Sequence, residues 1–455
     1  MSERAGPALV IEGGTVATVA GNEYAPGHVV VRGSRIEAVG PGPAPEIADA
    51  DRLDASGCLV TPGLVNTHHH LYQWATRGLA VDDGLFGWLT TLYPIWARLD
   101  EQITTDAAAA SLAWLARTGC TTTMDHHYVF PADGGDLLGA EIEAARRLGL
   151  RFLATRGSMD LGQSAGGLPP DHVVESTASA IAASAAAIDA YHDPGPDSRL
   201  RIGLAPCSPF SVTRELLTES AALARDRGVR LHTHLAETED EDAYCRERFG
   251  SSPLDYLSDV GWLADDVWFA HGIHFDDAGI KALAVAGAGV AHCPTSNARL
   301  GAGICRLRDL RAAGVPVGLG VDGTASNEQG SLVAELHLAA LLARAVGGPT
   351  AITVRDVLET ATLGGARLLG WDDQIGTIEV GKQADLAVWR LTGLAHADVV
   401  DPVAALVLGD RPPIELLLVA GSPLVRNDHL VTADEEQLTA AALHAHRRLL
   451  ARADQ

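Results

Sequence analysis

The chain has 455 residues, enough for a large core and for more than one domain. A formal charge of −24 argues against nucleic acid or an anionic membrane as partner, since both need a basic face. Hydrophobic residues at 47%, aromatics at 5% and 48 glycines suit an α/β protein and exclude a disordered or fibrous one. Six cysteines with no Cys-x-x-Cys pair predict reduced thiols rather than a disulfide framework or a cysteine-based zinc site. The first residues lack a signal-peptide pattern and no apolar run reaches membrane-spanning length, so the expectation is a cytoplasmic protein with no membrane partner.

In chain order, residues 8–58 read as short strands separated by turns. From residue 59, β-rich apolar runs that end in polar residues recur at 59–70, 120–130, 150–159, 200–210, 229–238, 267–275, 289–297 and 315–327. Ala-rich stretches of helical spacing lie between them at 105–117, 140–147, 173–191, 214–227 and 279–286. Eight strands alternating with helices over this length predict a closed (β/α)₈, TIM-like barrel. Residues near 376–389 and 415–421 return to the short-strand pattern, and a helix at 433–453 follows. Neither terminal part is long enough for a sandwich alone. The expectation is therefore a composite β-sandwich domain from 1–58 and 375–455, beside a catalytic barrel at 59–374. No GxGxxG or Walker A pattern follows any strand, which weakens a nucleotide-cofactor reading.

Polar residues at the ends of barrel strands carry the chemistry of this fold. Thr67-His68-His69-His70 ends the first run; side chains alternate along a strand, so His68 and His70 converge while His69 faces away. Two adjacent imidazoles form half of a divalent-metal shell, and burying them without a metal or polar partners is costly. The fifth run contains His232, His234 and Glu237; His234 is nearer the strand end and is the expected third ligand. His232 is left open between ligand and packed barrel histidine. His271 ends the sixth run and Asp322 the eighth. Three imidazoles and the Asp322 carboxylate around one ion leave Glu237 and His271 free to act on substrate. That set suits hydrolysis, because a bound Zn²⁺ or Fe²⁺ lowers the pKa of water from about 15.7 towards 7. In this scheme Asp322 accepts the water's proton, Glu237 shuttles a proton to the substrate, and His271 orients the water or polarises the electrophile. The 200–210 run holds no Lys, Asp or Glu that would bridge a second metal, so one divalent metal ion is expected.

The segment 62–70, with His234 and Glu237, His271 and Asp322, resembles the amidohydrolase superfamily, in particular its single-metal deaminase and chlorohydrolase branch. The likeness spans nearly the whole chain. It implies His68, His70, His234 and Asp322 as ligands, Glu237 as proton shuttle and His271 as the water-orienting residue. The segments 70–73, 156–164 and 320–327 are similar to those of 8-oxoguanine deaminases and of the triazine hydrolases close to them. This resemblance implies deamination of an aminated heterocycle, first 8-oxoguanine to urate, otherwise isocytosine, guanine, a pterin or an s-triazine, by a homo-oligomeric enzyme. The expected substrate-binding residues are Gln73, Tyr72, Trp74, His127 and Asn327. Each has a bland alternative: a surface amide for Gln73, packing for Tyr72 and Trp74, helix capping for Asn327. At most one of His126 and His127 points inward. The loop 157–170 reads as an active-site cover or as a plain connection.

Overall fold

The computed structural model describes residues 8–454, and its centre is a closed barrel of eight parallel strands. They are β1 (Leu64–Asn66), β2 (Cys120–His127), β3 (Arg151–Ser158), β4 (Leu200–Pro206), β5 (Leu231–Leu235), β6 (Val267–His271), β7 (Gly289–His292) and β8 (Val317–Leu319). Leu319 of β8 pairs with Asn66 of β1 and closes the ring. The predicted barrel therefore forms, although most runs overshoot their strands. Their polar ends belong to loops at the carboxyl edge of the barrel.

Helices cover the outside, and local chemistry sets their limits. The helix Glu101–Arg117 begins where the Asp100 side chain accepts from the Ile103 amide. The helix Arg214–Arg227 starts on a Thr213 cap and ends at Gly228, whose φ of +66° suits a residue without Cβ. By length and composition alone, the stretch Asp171–Tyr191 is apolar enough to cross a bilayer, contrary to the sequence expectation. In the fold its helix, Thr177–Tyr191, buries Ala180, Ser184, Ala187 and Ile188 as one of the barrel's outer helices.

The two ends of the described chain build a sandwich. One sheet, of four strands, comes from residues 8–54. The other has seven strands, and Cys58–Pro62 in its interior pairs with Thr15–Ala17 on one side and Leu386–Arg390 on the other. Ile11, Val29, Val31, Val60, Leu386, Val388 and Leu416 fill the space between the sheets. The first predicted run thus divides, with Cys58–Pro62 in the sandwich and Leu64–Asn66 in the barrel. At Gly63 the chain passes against Thr121, and a Cβ there would lie 2.2 Å from that side chain.

A buried ion pair joins the two parts. Asp385, in the sandwich segment, accepts from Arg151 Nε and Nη2 at 3.2 Å each and from the Ala420 amide at 2.7 Å. Removing one partner strands a buried charge. Asp385→Ala is expected to cost about 3–5 kcal/mol in denaturant unfolding; a loss below about 1 kcal/mol, the size of an exposed pair, would contradict that role.

Candidate metal and catalytic site

Three residues at strand ends depart from ordinary backbone geometry. Ala236 after β5, His271 ending β6 and Asp322 after β8 have φ of +53°, +70° and +60°. For non-glycine residues each such conformation costs on the order of 1–3 kcal/mol and persists where the surroundings enforce it. Here the Glu241 carboxylate accepts from the Ala236 and Glu237 amides, and the Asp322 amide donates to the His68 carbonyl at 3.0 Å. The turns aim Glu237, His271 and Asp322 across the mouth of the barrel.

His68 and His70 lie just beyond β1 and converge as expected; His69 turns away to Ser111, 2.7 Å distant. Each of three imidazoles uses Nδ1 on an acceptor behind it. His70 Nδ1 donates to the His126 carbonyl at 2.7 Å and His234 Nδ1 to the Cys207 carbonyl at 2.6 Å. His68 Nδ1 meets His232 Nε2 at 2.8 Å, and His232 Nδ1 in turn donates to the Trp268 carbonyl. That settles the open case: His232 is a packed barrel histidine that braces His68. Burial holds His68 and His234 well below the ordinary imidazole value, so these rings are neutral.

With their protons on Nδ1, the Nε2 lone pairs of all three rings point at one another. His70 Nε2 is 3.2 Å from His234 Nε2, and Asp322 Oδ1 is 3.1 Å from His68 Nε2 and 3.3 Å from His70 Nε2. No hydrogen is available between these acceptors, and His68 Nε2 is buried without a hydrogen-bond partner. The separations match the roughly 3.4 Å expected between ligand atoms about 2.1 Å from a tetrahedral ion. The donor set fits a divalent metal. Asp322 Oδ2 accepts from the hydroxyls of Ser296 (2.6 Å) and Ser326 (3.2 Å). Glu237 Oε2 lies 3.6 Å from His271 Nε2, whose ring is held by Nδ1 donating to Asn297 Oδ1 at 2.9 Å. Burial and the Asp322 carboxylate push Glu237 well above the usual carboxylate range.

The walls differ from those expected. Leu85, Trp88, Leu89 and Tyr93 of helix α1 (Leu85–Trp96), with Tyr128, Cys207, Phe210 and Leu300, surround the cavity in front of the imidazoles. None of the five expected substrate-binding residues lines it. His127 points away, bonding Glu141 and the Val129 carbonyl, and His126 faces the cluster instead. Tyr72 packs in a fully buried position against Trp96 and His127. Trp74 lies under the Arg77 guanidinium in an outer groove beside the helix Glu435–Ala453. Asn327 spans the loop after β8, donating to the Val321 carbonyl and Glu335 and accepting from Gly330. Gln73 is buried with both amide atoms unpartnered, beside Gly323 rather than in the cavity. The loop 157–170 likewise contributes nothing to the cavity lining.

Residues 59–421 match the Amidohydrolase family. The chain belongs to that family. This amidohydrolase is 46% identical over 440 residues to an 8-oxoguanine deaminase of Pseudomonas aeruginosa, covering 96% of the chain and 97% of the relative. It is 36% identical to an isoxanthopterin deaminase from an unknown prokaryotic organism, over 92% of the chain and 91% of that protein. Among solved structures it resembles the atrazine chlorohydrolase TrzN from Arthrobacter aurescens TC1 complexed with zinc. The TM-score is 0.91 and the identity 34%, over 96% of this chain and all of the other. The amidohydrolase is thus a hydrolase acting on carbon–nitrogen bonds.

Proposed function

We propose that this amidohydrolase hydrolyses 8-oxoguanine to urate and ammonia. The observation that carries the reaction type is the convergence of the His68, His70 and His234 Nε2 lone pairs, with Asp322 Oδ1 against two of them and Glu237 and His271 beside the set. The similarity to an 8-oxoguanine deaminase over nearly the full chain supports the substrate. His68, His70, His234 and Asp322 would hold one divalent ion, proposed to be zinc as in the atrazine chlorohydrolase. When bound, the ion supplies Lewis acidity that makes water a nucleophile at neutral pH.

The side chains do the rest. Asp322 Oδ2, steadied by two serine hydroxyls, takes a proton from the attacking water. His271 Nε2, fixed by Asn297, stands 4.0 Å from that oxygen and orients the water. Glu237 gives a proton to the ring nitrogen, takes one back from the new hydroxyl and passes it to the departing amine, and the proton held by Asp322 restores Glu237. The bond from ring carbon to oxygen forms, the bond to nitrogen breaks, and ammonia leaves with the ring as its carbonyl tautomer.

The cavity measures only about 30 Å³, against roughly 300 Å³ and more for typical ligand pockets. A bicyclic ring therefore needs this wall to move, and Trp88 of α1, tied through Nε1 to the Ala325 carbonyl, is placed to cover it. Trp88→Ala is expected to raise KM by about 3–10-fold, the loss of one aromatic contact, with kcat less affected. Unchanged KM would remove Trp88 from the binding surface.

Ammonia release from a panel of aminated rings tests the substrate: 8-oxoguanine, guanine, isocytosine, isoxanthopterin and amino-s-triazines. The reading requires 8-oxoguanine to have the highest kcat/KM. Inertness towards it with turnover of isoxanthopterin or a triazine favours the second reading, which the other two relatives support.

A further inference from the structure

Strand β2, on its face away from the imidazoles, and the helix Leu137–Leu148 bring together a second set of titratable groups. Asp125, His127 and Glu141 are fully buried, and their donor and acceptor atoms lie within 4.8 Å of one another. Hydrogen-bond accounting orders them. His127 Nε2 is 2.9 Å from the Val129 carbonyl, which only accepts, so that nitrogen carries the proton. Nδ1 of the neutral ring then accepts, and Glu141 Oε1, 2.8 Å away, donates. Asp125 Oδ2 and Glu141 Oε2 are both buried with no hydrogen-bond partner, and the two carboxyls are neighbours, so one proton shared between these oxygens would satisfy both. In that arrangement Asp125 Oδ2 donates and Glu141 Oε2 accepts, while Asp125 Oδ1 accepts the Leu71 amide at 2.6 Å. The bonds would then run in one direction from Leu71 to Val129 and leave no group of the chain unpaired. Burial pushes Glu141 up to about 8 and His127 down to about 4, in keeping with a protonated carboxyl beside a neutral ring.

Leu71 directly follows His70 and opens the 3₁₀ turn Leu71–Thr76, for which His70 supplies no side-chain cap. The same strand holds the His70 ring through the His126 carbonyl. We propose that Asp125 is a positioning residue for His70, held by Glu141 and His127 through a hydrogen-bond chain that needs no net charge. It grips the backbone next to the ligand while β2 grips the ring. The inference rests on His70 being a metal ligand, as proposed above.

Zinc and Co²⁺ binding to the purified full-length chain, measured by chelator competition and Co²⁺ absorption, tests it. In Asp125→Asn and Glu141→Gln an amide N–H replaces each carboxyl donor, and metal affinity is expected to stay within about 3-fold. Asp125→Leu and Glu141→Leu break the chain and are expected to bind roughly 10–100-fold more weakly, with an altered Co²⁺ spectrum and a fall in kcat larger than any change in KM. Where a leucine variant does not fold, Asp125→Ser, too short to reach both partners, takes its place and is expected to weaken binding likewise. Amide variants as weak as the leucines would overturn the proposal, as would leucine or serine variants that bind like the parent. A second metal equivalent in the parent chain, lost from the amide variants, would also overturn it. His70→Ala is the separate control: full metal retention there refutes the ligand assignment, not the chain.

Discussion

His68→Ala is expected to leave the purified protein almost free of metal. His68 supplies one of four converging donor atoms, and its Nε2 has no other bonding partner. A four-ligand zinc site is worth roughly 10–16 kcal/mol, so one ligand carries about 3 kcal/mol, or a hundredfold in affinity and more. The barrel should survive, because its enclosure depends on strand pairing and the apolar core. Metal content after gel filtration, with circular dichroism as the check on folding, decides the matter. A full equivalent of metal in folded His68→Ala would remove the ion from this site.

Glu237→Gln separates holding the metal from using it. The Glu237 amide, not its carboxyl, is gripped by Glu241, and the carboxyl's near neighbour is His271 Nε2 at 3.6 Å. An amide of the same shape therefore keeps the fold and the ligand set but cannot pass a proton. Turnover is expected to fall by about 10²–10⁴-fold, with metal content unchanged and KM close to the parent's. Near-parental kcat in this variant would take the proton shuttle away from Glu237.

The convergence of His68, His70, His234 and Asp322 was legible because a barrel makes sequence position informative: each of these residues lies near or just past the end of a β-rich run, at the edge where sites form. His68 and His70 are spaced as alternation demands, and His234, His271 and Asp322 each end or follow their own strand. The walls were not legible, for two physical reasons. After His70 the chain turns into a 3₁₀ helix, so the period of two that aligned the histidines no longer governs Tyr72, Gln73 and Trp74. The roof comes from α1, whose Leu85, Trp88, Leu89 and Tyr93 carry no chemistry-bearing pattern and look like any amphipathic helix. For His126 and His127, alternation allowed at most one to face inward and carried no information on which. The buried partner that draws His127 outward, Glu141, sits on a helix Leu137–Leu148 where a single acid reads as a surface residue. Asn327 followed its strand closely, yet its amide is consumed by the loop that fixes Asp322.

The position of Cys58–Pro62 governs how this protein can be made. One neighbour of that strand, Thr15–Ala17, leaves the ribosome before it; the other, Leu386–Arg390, emerges only after the whole barrel has been translated. Throughout that interval the nascent chain carries an apolar strand with a bare hydrogen-bonding edge, open to wrong pairing with another molecule. A fragment that stops short of Leu386 keeps that edge for good, so truncation is more damaging here than the distance from the reaction centre suggests.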